Sequence, residues 1–124
     1  MTPQDLQNWV AAYIEAQSSP ERINEKHPMW WPIGRFFELE HEHPEDCWAA
    51  ILAVLGRKPS EKVLGILAAG PLEDLIHMHG ERFIDRIETE AMRNPAFRAL
   101  LRGVWKSSTL EIWARVEKAK AWRA

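Results

Sequence analysis

The side chains able to do chemistry fall in two stretches. The first is the acid and histidine run Glu38, Glu40, His41, Glu42, His43, Glu45 and Asp46. It contains Glu38-x-x-His41 and Glu40-x-x-His43, and Asp74-x-x-His77 repeats the spacing downstream. Three residues of separation put a carboxylate and an imidazole on one helical face, which is how di-iron carboxylate bundles supply ligands. A metal site also needs such groups to converge from several helices. Against it, the acids crowd around Pro44, where two helices should meet. Glu45 and Asp46 would then occupy a first turn and complement the helix dipole. Bare ExxH and HxH matches are common in charged helices. The expectation is therefore a solvated helix end and no metal, with Glu38, Glu40, His41 and His43 as the ligands to examine.

The second stretch is AAGPLEDLIHMHG, residues 68–80. Its acid/base candidates are Glu73, Asp74, His77 and His79, and Glu73 lies four residues from His77, within reach on a helix. Each member also has a structural use. Pro71 can open a helix whose first turn carries Glu73 and Asp74. Gly80 can then close it in a left-handed cap, with His79 facing the last carbonyls. No GxSxG, Cys/His signature or Gly-rich phosphate loop accompanies them. The single cysteine, Cys47, would start a helix beside Trp48 and reads as a small structural residue. No catalytic set is assigned on this basis, and no cofactor is expected.

Seven tryptophans in 124 residues is a large number. Trp9, Trp48 and Trp113 fall on apolar helical stripes and belong in a core. Trp105 is expected to pack under the helix that precedes it, and Trp122 to lie exposed near the terminus. Met29, Trp30 and Trp31 sit in a Pro-flanked stretch, KHPMWWP, where exposed aromatics make partner anchors. Arg82, Arg86 and Arg93 share one helical face, as do Arg98 and Arg102. Such a ridge could meet phosphate, yet Asp85, Glu88, Glu90 and Glu117 are interleaved, which favours intramolecular pairs.

The elements that must position these groups are helical. Leu6, Trp9, Val10 and Tyr13 follow i, i+3, i+4, i+7, as do Trp48, Ile51, Leu52 and Leu55, and period-2 alternation is nearly absent. Thr2-Pro3, Ser19-Pro20, His43-Pro44, Lys58-Pro59, Gly70-Pro71 and Asn94-Pro95 read as helix starts, with Thr2, Ser19 and Asn94 able to cap. The spacing predicts helices near 3–17, 32–42, 44–56, 59–69, 71–79, 81–93, 95–103 and 109–122. Residues 21–32 form an irregular segment in which His27 and Trp31, each before a proline, should be extended. The fold class is all-α: one domain, 1–124, a compact bundle of about seven or eight short helices, compatible with HEAT-like stacked hairpins.

Hydrophobic residues make up 46% and charged residues 27%, the balance of a soluble globular protein. One cysteine excludes an intramolecular disulfide, and no apolar run approaches the roughly 20 residues that span a bilayer. The opening MTPQDLQNW lacks the features of a secretory signal, so the expected location is the cytoplasm. Charge is uneven: residues 1–81 carry 6 Lys/Arg against 13 Asp/Glu, and residues 82–124 carry 10 against 5.

The wording Leu67-Ala-Ala-Gly-Pro-Leu-Glu-Asp-Leu75, then His79-Gly80, then Asn94 to Trp105, resembles a family of small bacterial proteins known only as a domain of unknown function. HPEDCW, residues 43–48, resembles it too, and the likeness covers roughly 36–113. It implies a shared fold and no activity. The reading that follows is a non-enzymatic protein-interaction module of the bacterial cytoplasm. Its surface would be Met29, Trp30, Trp31, Glu38 and Glu42, its partner a basic protein, and a homodimer is compatible with it. The alternatives are a small-molecule or metal-assisted enzyme using Glu73, Asp74, His77 and His79, and nucleic-acid binding through the Arg ridge, of which the second is disfavoured.

Overall fold

Thr2 and Asp5 close a reciprocal capping box, each side chain accepting the other's backbone N–H at 3.0 Å, and helix α1 (Pro3–Ser18) follows. In the computed structural model, which describes residues 1–123, α1 buries Trp9, Val10, Tyr13 and Ala16. Ala124, the last residue of the expected 1–124 domain, lies outside the described residues. Next come a 3₁₀ turn (Pro28–Trp30), α2 (Trp31–Leu39), α3 (Pro44–Gly56) and α4 (Glu61–Leu67). A π-helical stretch (Ala68–Leu72) joins α4 to α5 (Glu73–Arg93), and α6 (Pro95–Leu101) and α7 (Leu110–Lys120) complete the chain. Asn94 caps α6 by accepting from the Ala96 and Phe97 amides, and Thr109 caps α7 by accepting from Ile112. The described residues are all-helical apart from connections.

Four proline signals resolve differently from the expectation. Ser19-Pro20 starts no helix; Ser19 ends α1 and its hydroxyl accepts from the Glu21 amide in a turn. After Lys58-Pro59 the helix waits for Ser60, whose hydroxyl is the cap. Trp31 is not extended but helical (φ −54°, ψ −39°), because the 3₁₀ turn runs straight into α2 and places Pro32 in the first turn, where its absent N–H costs nothing. His27 is extended as expected.

The largest departure is at Gly70-Pro71. The three helices expected at 59–69, 71–79 and 81–93 form one uninterrupted run from Glu61 to Arg93, so the described residues hold six separate helical rods and not seven or eight. An α-helix cannot take Pro71 in its interior without losing a hydrogen bond and colliding with the carbonyl four residues back. Widening to π geometry over Ala68–Leu72 moves that carbonyl aside, and the chain continues. Nor is Gly80 a left-handed cap, since no glycine has positive φ. The run merely kinks at His79 (φ −133°, ψ 28°). Gly80 is there for room: a Cβ would lie 2.8 Å from Ser108 Oγ and 2.9 Å from Ile112 Cγ2.

Two aromatic joints organise the core. Phe36 of α2 meets Trp9 and Tyr13 of α1 at 4.7 and 5.1 Å between ring centroids, and Trp9 Nε1 donates to the Pro32 carbonyl at 2.8 Å. Trp48 of α3 meets Phe83 of α5 and Phe97 of α6 at 5.7 and 5.5 Å. Each large aromatic removed from water takes ~150–250 Å² with it, roughly 4–6 kcal/mol before entropy is counted. α7 lies along α5 and closes the opposite side with Ile112, Val116 and Ala119. Trp113 packs partly buried against this core under the Lys120 ammonium, and Trp122 is exposed. Trp105 departs from its expected place under α6: it is 77% exposed. Among the described residues no helix is long and apolar enough to cross a membrane.

Candidate functional site

The two candidate stretches meet where α2 ends against the start of α5. Glu40 is the C-terminal cap residue of α2, and its backbone carbonyl is 2.7 Å from His79 Nε2, at the kink. That contact fixes the His79 ring by engaging one nitrogen. The half-buried Glu40 and Asp74 carboxyls form a hydrogen-bonded pair. Burial raises the Glu40 carboxyl above its usual range, and the charge and hydrogen bond of Asp74 raise it further. Burial also raises Asp74, Glu73 adds to the rise, and the hydrogen bond from Glu40 and the nearby His77 oppose it. A hydrogen bond between two carboxyls requires a proton between them, so the pair shares one.

The remaining acid/base candidates do not join this pair. Glu73 Oε1 accepts the Trp105 backbone N–H at 2.8 Å, and among the described residues no hydrogen bond links it to His77. His77 is exposed and lines a cleft of about 570 Å³ with Met78, Glu81 and residues 108–112. Cys47 is buried, donates weakly to the Phe36 carbonyl at 3.8 Å, and has its thiol pushed up to about 12 by burial, with Glu40 and Asp46 adding to the rise. A thiol held protonated in this way is no nucleophile at neutral pH.

The metal candidates are dispersed. Glu38, His41 and His43 are exposed, while Glu40 faces Asp74. Among the described residues no three His, Cys, Asp or Glu side chains group as a metal ion needs. Glu45 instead clamps two cations, with Arg82 at 2.9 Å and Arg86 bidentate at 2.5 and 2.8 Å, and these bonds hold its carboxyl below the usual range. Arg115 similarly bridges Asp85 and Glu88 from α7 to α5, and Arg93 grips the buried Glu90. The Arg ridge is thus largely occupied within the fold.

The predicted anchors occupy the outer face of α2. Trp31 is 41% exposed, with the Arg35 guanidinium 5.0 Å over its ring. Trp30 lies flat along the helix, parallel to Phe37 at 6.2 Å, and Phe37 is 53% exposed. Gly34 makes this arrangement fit, since a Cβ there would stand 2.6 Å from Trp30 Nε1. Met29 is half-buried beside the platform, and Glu38 and Glu42 are exposed. The sequence reading missed Phe37 and Gly34, although Trp30, Gly34 and Phe37 at i, i+4, i+7 carried the signal.

A family model matches residues 19–124, which takes in every one of these side chains. The chain belongs to the DUF6869 family. It is a family of unknown function, so membership brings no activity to the site. No curated protein and no solved structure matches the chain. Three acids that the sequence placed in first helical turns, Glu73 and Asp74 also as acid/base candidates, carry long-range contacts within the DUF6869 match that the spacing did not foretell. They are Glu45 as a double arginine clamp, Glu73 as the anchor of the Trp105 loop, and Asp74 as the partner of Glu40, 34 residues away. No local pattern announces the last of these.

Proposed function

We propose that this DUF6869 member is a non-enzymatic protein-interaction module of the bacterial cytoplasm, a single domain that presents the outer face of α2 to a basic partner protein. The observation that carries the reading is the Trp30–Phe37 stack laid over Gly34 beside exposed Trp31, a pre-formed aromatic platform that loses little side-chain freedom on binding. Exposed Glu38 and Glu42 rim it, and neither makes an ion pair among the described residues, so both are available to a cationic partner. The enzyme reading draws less support, because Glu73, His79 and Cys47 are each engaged in contacts that hold the fold together. Nucleic-acid binding draws less again, since Arg82, Arg86, Arg93 and Arg115 already face carboxylates.

The test is affinity capture from the native host followed by crosslinking of the captured partner. Replacing Trp30 and Trp31 with Ala should abolish capture while far-UV circular dichroism stays unchanged, and Glu38→Lys with Glu42→Lys should weaken it in a salt-dependent way. Capture that survives the double Trp substitution removes the platform from the proposal.

A further inference from the structure

The two most exposed large apolar side chains, Trp105 at 77% and Leu110 at 75%, bracket one short loop between α6 and α7. That loop is tied down on every side. Val104 is buried, and its carbonyl accepts from Lys120 Nζ at 3.4 Å. The Trp105 N–H is held by Glu73, and Ser108 takes a left-handed φ of 68°, which an L-residue keeps only when its surroundings enforce it. Gly80 lets Ser108 sit against α5. A loop this constrained does not hold an indole in water by default, and a rigid exposed Trp marks an interface.

The same loop borders a cleft. The cleft of about 570 Å³ lies between α5 and the start of α7, and its mixed lining includes Met78, Leu110 and Ile112 together with His77, Glu81 and Glu111. Glu73, which holds Trp105, precedes His77 of the cleft by one helical turn, and Ser108 of the cleft follows Trp105 by three residues. The loop that carries the indole therefore also forms one wall of the cleft. Their charges are opposite, with exposed Lys106 next to Trp105 in the chain and exposed Glu81 and Glu111 lining the cleft. Among the described residues Lys106, Glu81 and Glu111 make no ion pair. A face that carries both halves of a complementary contact satisfies the requirement of a two-fold interface, in which each copy gives the other what it receives. The carboxylates also supply acceptors for the indole N–H.

We propose that two copies of this chain pair about a two-fold axis, each inserting Trp105 into the cleft formed by residues 77–81 and 108–112 of the other. The surface is separate from the α2 platform, so either reading can fail alone. Sedimentation equilibrium of the full chain from about 1 to 500 μM covers the relevant affinities. The expected result is a dimer whose dissociation constant rises at least about tenfold with Trp105→Ala, the usual consequence of truncating a central Trp. Lys106→Glu should weaken it as well, and adding Glu81→Lys and Glu111→Lys should restore it. Because Trp105 is exposed, its truncation leaves the core intact; Glu81→Arg tests the contact from the cleft side. A wild-type monomer throughout the range overturns the proposal, as does a dimer indifferent to Trp105→Ala and Glu81→Arg. A dimer dissolved instead by the Trp30 and Trp31 substitutions also overturns it.

Discussion

Replacing glycine by alanine at positions 65 and 80 should move stability in opposite directions. Both are helical, and glycine in a helix interior is ~0.8–1 kcal/mol less favourable than alanine. Gly65 of α4 is exposed, and a Cβ added there meets nothing within 4 Å, so Gly65→Ala should gain roughly that amount. At Gly80 the same propensity gain is opposed. The new Cβ would sit 2.8 Å from Ser108 Oγ and 2.9 Å from Ile112 Cγ2, well inside the ~3.5–4.0 Å of ordinary carbon contact. The exposed Ser108 Oγ can rotate aside, but the Ile112 methyl is buried and has nowhere to go. Relief requires α7 to shift along α5, an overpacking penalty of ~1–3 kcal/mol, which leaves a net loss of about 1 kcal/mol. Urea denaturation should place the two variants about 2 kcal/mol apart, with Gly80→Ala melting roughly 3–5 °C below the parent. Gly80→Asn separates close approach from a left-handed cap. Asparagine tolerates a cap, whereas the larger side chain here should cost more than alanine. Equal stabilisation by the two alanine variants would refute the reasoning, since the approach of α7 would then not be what keeps position 80 bare.

Glu40→Gln should flatten the fall in stability that sets in as pH rises above the ordinary carboxylate range. The folded state raises both carboxyls of the Glu40–Asp74 pair, chiefly by burial, so their contribution is fully present below the unfolded carboxyl pKa and is lost as pH rises through the raised values. Glutamine donates to Asp74 without a titrating proton. Urea midpoints should therefore fall with rising pH more in the parent than in the variant, and parallel curves would count against the shared proton. The depressed carboxyls of Glu45 and Glu88 act in the opposite sense, stabilising above their unfolded pKa and losing that contribution as pH falls, but they are common to both proteins. Tyr13→Phe should hold or raise stability by ~1 kcal/mol, because the buried hydroxyl lies beside Gln17 without meeting hydrogen-bond geometry and its desolvation is uncompensated. A loss above about 1 kcal/mol in thermal or urea melts would show that the hydroxyl is satisfied after all.

The difference between what was legible in the sequence and what was not follows the range of the interaction. Caps and apolar stripes are local, so Thr2, Asn94 and the stripe Trp9, Val10 and Tyr13 announced their helices, and the all-α class followed from spacing alone. Proline is local too, yet ambiguous. Pro44 and Pro95 open helices, while Pro71 sits inside one, and the residues around Pro71 look the same in either role. What decides is the apolar run on both sides: Val63, Leu67, Ala68, Leu72, Leu75 and Ile76 are all buried, and a continuous rod keeps them on one stripe facing the core. The hydrophobic gain from continuing the rod outweighs the cost of one π-widened turn, and the same argument removes the left-handed cap at Gly80. The candidate site shows the limit more sharply. The acids of 38–46 and 73–74 were visible as chemistry-bearing types, but Glu40 meets Asp74 only because the α4–α5 rod is continuous and brings position 74 against the end of α2. Misjudging one proline therefore hid the contact that joins the two candidate stretches. Trp105 fails for the complementary reason. An apolar side chain after a helix reads as core, and only the anchoring of its backbone by Glu73, a contact 32 residues distant, turns it outward.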